Sequence, residues 1–240
     1  MSGLSTGTRF SVVEPSEEQG IRFWTMPKEP RLWEDETVII VASGPSAAFY
    51  GDNYLMQFRE DARIIAVNDA YKIVPFADLL YSCDWWWWNN RKMVPEFTGY
   101  KAGLVWEGRK GNCYPGWVDS KEKDELYNFA STGQEGLETE DTRGLRTGGN
   151  SGYQAINLAV HLGASRILLL GFDCKSDGDK IQFWCNYSGR KNPGNATFVN
   201  WKKTFKTLVK PLRDLGIDII NCSQGSALKC FERGVLEREI

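Results

Sequence analysis

Short apolar runs, each ending in a polar residue, dominate the chain from residue 37 onward. They fall at 37–42 (TVIIVA), 62–67 (ARIIAV), 79–83 (LLYSC), 103–106 (GLVW), 167–170 (ILLL) and 217–220 (IDII). Continuous rather than alternating apolarity over four to six residues predicts strands covered on both faces, the pattern of a parallel sheet. A second periodicity occupies 150–163, where Ile156, Ala159, Val160 and Gly163 recur at three- and four-residue spacing. That spacing predicts a helix, with Asn150 or Ser151 able to cap its start and Gly163 suited to a left-handed stop. Residues 197–215 read as an amphipathic helix with Pro211 near its end, and a short charged helix closes the chain. Lys202, Lys203, Lys206 and Lys210 form its solvated face, with contact to an acceptor's phosphate backbone as the alternative. Strands alternating with helices predict an α/β fold, here a Rossmann-like, mostly parallel sheet with helices on both faces and a loop-rich lid. Residues 1–36 are polar and broken by Pro15, Pro27 and Pro30, so they read as an arm anchored by Phe23, Trp24 and Trp33. Residues 37–240 read as one domain, with lid segments at about 107–146 and 181–200. The stretch from Ser131 to Arg146 is polar and glycine-rich and is expected to be loop.

Doubly wound topology brings the carboxyl ends of parallel strands to one crevice. Polar residues stand at five of those ends: Ser43, Asn68, Asp84, Asp173 and Asn221. Their convergence is the central expectation. Glycines at 148 and 149 precede the 150–163 helix, whose open N–H groups and dipole favour an anion. The turn Ser43-Gly44-Pro45-Ser46 follows the first strand of the domain. It matches neither the Walker A loop nor GxGxxG, so a tight structural turn and nucleotide binding both remain open.

Composition narrows the classes. With 240 residues, 42% hydrophobic and 25% charged, the chain suits one large α/β domain. A net charge of −2 argues against a globally basic nucleic-acid binder. No apolar stretch approaches the ~20 residues of a membrane span, and no signal-peptide pattern opens the chain, so a cytoplasmic location is expected. Six cysteines, none in a CxxC pair, predict reduced thiols rather than a disulfide scaffold or zinc site. The single histidine, His161, lies in the predicted central helix, more as a helix-end residue than a catalyst.

Several stretches carry candidate chemistry. Trp85 to Trp88 cannot all face a core from one helix, so at least one indole should be exposed or close a pocket. Trp85 and Trp86 are candidates for stacking an acceptor. Arg143 and Arg146 precede the glycine turn and could reach a phosphate or remain on the surface. Asp177-Gly178-Asp179 has the DxD form that holds a divalent ion in many glycosyltransferases, and is also an ordinary acidic turn.

The segments VASGPS, IIAVNDAY, TGGNSGYQAINLAVHLGA and RILLLGFD together resemble two related families. One is the bacterial sialyltransferases of the lipooligosaccharide type; the other is the archaeal 6-hydroxymethylpterin diphosphokinase-like family. Many phage proteins carry a similar pattern. The resemblance covers roughly residues 38–221. It implies nucleotide binding by Ser43, Gly44, Pro45, Ser46, Asn68 and neighbouring Asp69, by Asn150, Ser151 and Gly152, and by Gly171. Two features depart from the sialyltransferase pattern. Lys175 stands where a tyrosine would stabilise the leaving phosphate, and residues 181–200 hold no histidine to act as base.

The implied activity is glycosyl transfer from a CMP- or UDP-linked sugar, without metal, to a glycan hydroxyl or to a hydroxymethylated base in phage DNA. Lys175 would then hold the leaving phosphate, and a carboxylate, Asp84 or Asp173 before Asp177, would take the acceptor proton. Trp85, Trp86 and Arg146 would contact the acceptor. The alternatives are a Mg²⁺-dependent diphosphokinase using Asp173, Asp177 and Asp179, or a nucleotide-binding module without turnover. The oligomeric state is left open.

Overall fold

A computed structural model describes residues 13–18, 21–25, 31–51, 54–105, 126–183 and 192–240. Eleven strands lie among them. They are β1 (Val13–Glu18), β2 (Ile21–Thr25), β3 (Thr37–Val41), β4 (Arg63–Val67), β5 (Leu79–Ser82) and β6 (Tyr100–Val105), then β7 (Leu126–Gly133), β8 (Gly144–Arg146), β9 (Arg166–Leu170), β10 (Asp218–Asn221) and β11 (Glu232–Arg233). The α-helices are α1 (Trp85–Asn90), α2 (Ser151–Leu162), α3 (Asn195–Phe205), α4 (Val209–Asp214) and α5 (Leu236–Glu239).

Nine strands form one sheet in the order β11-β10-β9-β3-β4-β5-β6-β7-β8. Every neighbouring pair is parallel. The run β5-β4-β3-β9-β10-β11 reproduces the 3-2-1-4-5-6 order of the doubly wound dinucleotide fold, and β6, β7 and β8 extend it on one side. The expected Rossmann-like architecture is therefore present, with a sheet parallel throughout.

Alternation along each strand divides the interior in two. Val38, Ile40, Ile65, Val67, Ile167 and Leu169 pack beneath α2 and the α3–α4 segment. Ile39, Val41, Ile64, Ala66, Leu168 and Leu170 face the opposite layer, which holds short 3₁₀ turns, Trp87 and Trp88 of α1, and Leu236 of α5. Helical cover on both faces explains why these strands carry no polar alternation.

Two differences from expectation stand out. The 1–36 arm contains the antiparallel pair β1–β2, with β2 lying against β7. The polar stretch read as loop or lid from Ser131 to Arg146 instead supplies the end of β7 and all of β8. Of the rest of the proposed lids, 107–125 and 184–191 lie outside the described residues, as do Cys113 and Cys185, while 126–130 belong to β7 and 195–200 to α3 rather than to loop. The four described cysteines, Cys83, Cys174, Cys222 and Cys230, are free thiols.

The 131–146 stretch stays ordered despite its polarity because α2 holds it. Every residue of α2 is buried. The helix crosses from the β8 edge over β5 and β4 to β3, and its polar side chains face the segment that precedes it. Asn157 Oδ1 accepts from Glu138 N (2.9 Å) and Arg146 N (3.1 Å), while its Nδ2 donates to Glu138 O (2.9 Å). Gln154 donates to Thr147 O and accepts from the Tyr81 hydroxyl, both at 2.8 Å. His161 Nε2 meets Gly144 O at 2.9 Å and must donate to it, so the only histidine is a structural tie. Burial pushes its pKa below the ordinary value.

The far end of α2 closes as its glycine predicts. Gly163 adopts φ +105°, and Trp33 N (2.7 Å) and Asp35 N (3.0 Å) of the arm bond the last carbonyls, those of Leu162 and Gly163. Trp33 is itself buried, as an anchor should be.

Replacing Asn157 by Ala strands three backbone groups in a dry interface. Urea denaturation should show a loss of about 2–4 kcal/mol. Limited proteolysis should cut faster within residues 134–142 than in the wild type.

Candidate functional site

The chain starts its sheet at β3, winds outward through β4 to β8, then returns over α2 to place β9 on the other side of β3. The order reverses between β3 and β9, and a ligand crevice is expected at the carboxyl ends of such a pair. A cavity of ≈ 130 Å³, partly open to solvent, lies there. Its rim takes Ser43 and Gly44 after β3, Asn68 after β4, Asn150, Ser151 and Gly152 at the start of α2, and Gly171, Asp173 and Lys175 after β9. Nine of the residues singled out from the sequence thus share one hollow.

The turn after β3 is closed by a carboxylate of the protein itself. Asp173 Oδ1 accepts from Ser46 N at 3.2 Å, and Asp173 Oδ2 accepts from the Ser46 hydroxyl at 2.9 Å. In a dinucleotide fold the backbone N–H groups of this turn would receive a phosphate. Here an anion from β9 already occupies the position. Pro45 and Ser46 accordingly do not reach the cavity. Gly44 is required for the same reason, because a Cβ there would stand 2.0 Å from Asp173 Oδ2 and 2.4 Å from Gly171 O. Burial raises the Asp173 pKa above its ordinary 3.8, against the lowering effect of the Ser46 hydrogen bonds and of the Lys175 charge.

Open N–H groups lie instead at the start of α2. Asn150 caps it by accepting from Tyr153 N at 2.9 Å. The N–H groups of Ser151 and Gly152 precede the first intrahelical bonds and have no partner among the described residues. The Ser151 hydroxyl is engaged with Cys83, accepting from its N at 3.1 Å and lying 3.2 Å from its Sγ. Lys175 is exposed on the same rim and makes no ion pair among the described residues.

The remaining wall is aromatic. Phe172, Phe198, Trp201 and Phe205 line it, with Ile181, Gln182 and Pro193. Trp201 is fixed by donating from Nε1 to Gly149 O at 3.1 Å. The sequence places Ile181, Gln182, Pro193 and Phe198 in the expected 181–200 lid but singles out none of these wall residues. The spacing of 198, 201 and 205 at three and four marks one face of α3 and was a usable signal. For Gln182 the sequence holds no such signal.

Other candidates lie elsewhere, each for a local reason. Asp84 accepts from Trp86 N at 3.1 Å and caps α1. Asp69 is fully buried beneath Arg91, which meets its two oxygens at 2.7 and 2.8 Å, with Lys72 and the Trp87 indole completing its shell. Asn221 is fully buried and ties Ser226 and Leu228 to the end of β10. Arg146 pairs with Glu138 at 3.1 Å and donates to Thr132 O at 2.8 Å. Trp85 and Trp86 are half-buried on α1, while Trp87 and Trp88 are core. Asp177 and Asp179 lie in a tight turn closed by Asp177 and Lys180. None of these side chains lines the cavity, so the expected meeting of five strand ends holds for Ser43, Asn68 and Asp173 and fails for Asp84 and Asn221.

No family model matches the chain, and no curated protein sequence does. Among solved structures it is similar to the MAf glycosyltransferase from Magnetospirillum magneticum AMB-1, with a TM-score of 0.59 and 16% identity. The match covers 96% of this chain and 36% of that one, so the chain spans about a third of that protein's length. The likeness is one of fold.

Two measurements test the Asp173 seat. Gly44→Ala forces the carboxylate or the Gly171 carbonyl to move and should destabilise by about 2–4 kcal/mol in chemical denaturation. With a pKa above 3.8, native Asp173 holds a proton that the unfolded chain has released, so its contribution to stability falls as pH rises from 3.8 through the raised value. Asp173→Asn should therefore melt at or above the wild type at pH 7, with the difference vanishing as pH drops towards 3.8.

Proposed function

We propose that the protein is a glycosyltransferase that moves a sugar from a nucleotide-activated donor to an acceptor hydroxyl. The observation that carries this reading is the switch-point cavity, which joins open N–H groups at α2, the exposed Lys175 ammonium and an aromatic wall. Those three features suit the phosphate of a donor, the charge left on it after transfer, and its base. The fold likeness to a glycosyltransferase agrees with the reading.

In the proposed reaction the acceptor oxygen attacks the anomeric carbon, the bond from that carbon to the donor phosphate breaks, and the acceptor proton passes to a base. Among Asp84, Asp173 and Asp177, Asp173 lines the cavity, and its raised pKa suits proton acceptance nearer neutrality. Lys175 stabilises the departing nucleotide phosphate. A CMP- or UDP-linked donor fits this scheme, in which no metal is needed. The diphosphokinase alternative needs Asp173, Asp177 and Asp179 around one Mg²⁺, and only Asp173 lines the cavity. With Trp85 and Trp86 outside the lining, a glycan hydroxyl is the better acceptor reading than an extruded DNA base.

Thermal-shift measurements with CMP, UDP, GDP and ATP, with and without EDTA, provide the test. A nucleoside mono- or diphosphate should raise the melting temperature without metal. Stabilisation by ATP alone, and only with Mg²⁺, would sink the proposal. With the donor identified, Lys175→Ala should lower kcat about 100-fold while the unliganded melting temperature stays unchanged.

A further inference from the structure

Two side-chain carboxamides in the cavity have no hydrogen-bond partner. Gln182 is only 5% exposed, and its Oε1 is buried without a bond. Asn68 Oδ1 is likewise buried and unbonded. Neither amide group makes any other hydrogen bond among the described residues. A buried, unsatisfied amide is destabilising, so two beside one hollow call for a ligand that completes them.

Both line the cavity, and a short relay of hydrogen bonds links their chain neighbours. Phe183 N donates to Ser43 O at 3.1 Å, and the Ser43 hydroxyl donates to Val67 O at 3.0 Å. Gln182 adjoins the first residue of this relay and Asn68 follows the last. Asn68 also adopts φ +54°, a left-handed conformation that asparagine tolerates better than most side chains. The backbone thus holds Asn68 at the cavity at some conformational cost.

We infer that Gln182 and Asn68 form a clamp for a vicinal diol, the ribose 2′,3′-hydroxyls of the bound nucleotide, and that Gln182 sets selectivity for ribose over deoxyribose. The inference rests on the nucleotide-donor reading above. Each carboxamide offers one donor group and one acceptor, and each hydroxyl both donates and accepts, so two amides match two adjacent hydroxyls. Position supports the sugar over the base. Asn68 ends the strand beside β3, where doubly wound folds place the side chain that bonds the ribose 2′-hydroxyl. The aromatic wall is left for the base and the α2 N–H groups for phosphate. A site built to bond a hydroxyl strongly rejects the analogue that lacks it, because its own polar groups then stay unpaired.

The test is calorimetric titration of the wild type and of Gln182→Met, a substitution of similar volume with no amide. The ligands are CMP, UDP and their 2′-deoxy counterparts, and urea denaturation of both proteins is run in parallel. The wild type should bind at least one ribonucleotide about tenfold or more tighter than its deoxy form. Gln182→Met should lose most of that preference, keep the weaker deoxy affinity, and be as stable as the wild type or more so, since it removes an unsatisfied amide. A second variant, Gln182→Leu, should behave alike. Equal wild-type binding of ribo and deoxy forms overturns the clamp and leaves the donor reading intact. A preference that survives both substitutions overturns the role of Gln182, as does a loss of stability with selectivity unchanged. If none of the nucleotides binds, the donor reading fails and the clamp with it.

Discussion

The seat of Asp173 on Ser46 is the contact that shapes the mouth of the sheet. It joins the turn after β3 to the end of β9, across the reversal in strand order, with one carboxylate accepting a backbone N–H and a hydroxyl. Because Gly44 and Gly171 carry no side chains, the two turns approach closely enough for this to happen. The position where a dinucleotide fold would receive phosphate is thereby filled from within. The N–H groups left open beside it among the described residues are those at the start of α2, and the cavity acquires its present shape.

α2 is the second fixed point. A helix buried along its whole length is ordinarily apolar all round. Here Gln154, Asn157 and His161 are buried with hydrogen bonds to β8, to the turns on either side of it and to Tyr81. The same helix therefore covers the strands with one face, orders a polar segment with another, and presents its amino end to the cavity. The arm at Trp33 and Asp35 completes the opposite end.

Most of the architecture was readable from the chain, because uninterrupted apolar runs and a capped amphipathic repeat have few other outcomes in a protein of this size. Asn150 and Gly163 delimit α2 as their chemistry suggests. What could not be read was the direction of each polar side chain at a strand end. Asn221 turns inward to hold the following turn, and Asp84 is taken by the N–H of Trp86. Both outcomes depend on neighbours within seven residues whose conformations the apolar pattern does not determine. β8 was invisible for another reason: its three residues carry no strand signature, and their order comes from β7 and α2. Gln182 stands out only because its amide has no partner among the described residues, a property that no sequence displays.

The pairing of β3 with β9 also governs how the chain reaches this state. Thr37 lies beside Arg166, and Val41 beside Leu170. Synthesis must run on from Val41 to Arg166 before β3 gains its second neighbour. Until then β3 presents an unpaired apolar edge of the kind that recruits other strands. A nascent chain that ends before Asp173 lacks the carboxylate for Ser46, and with it one wall of the cavity. Such high contact order makes for slow folding and prolonged exposure to aggregation, so expression yield should depend on temperature and on chaperone supply more than final stability alone would indicate.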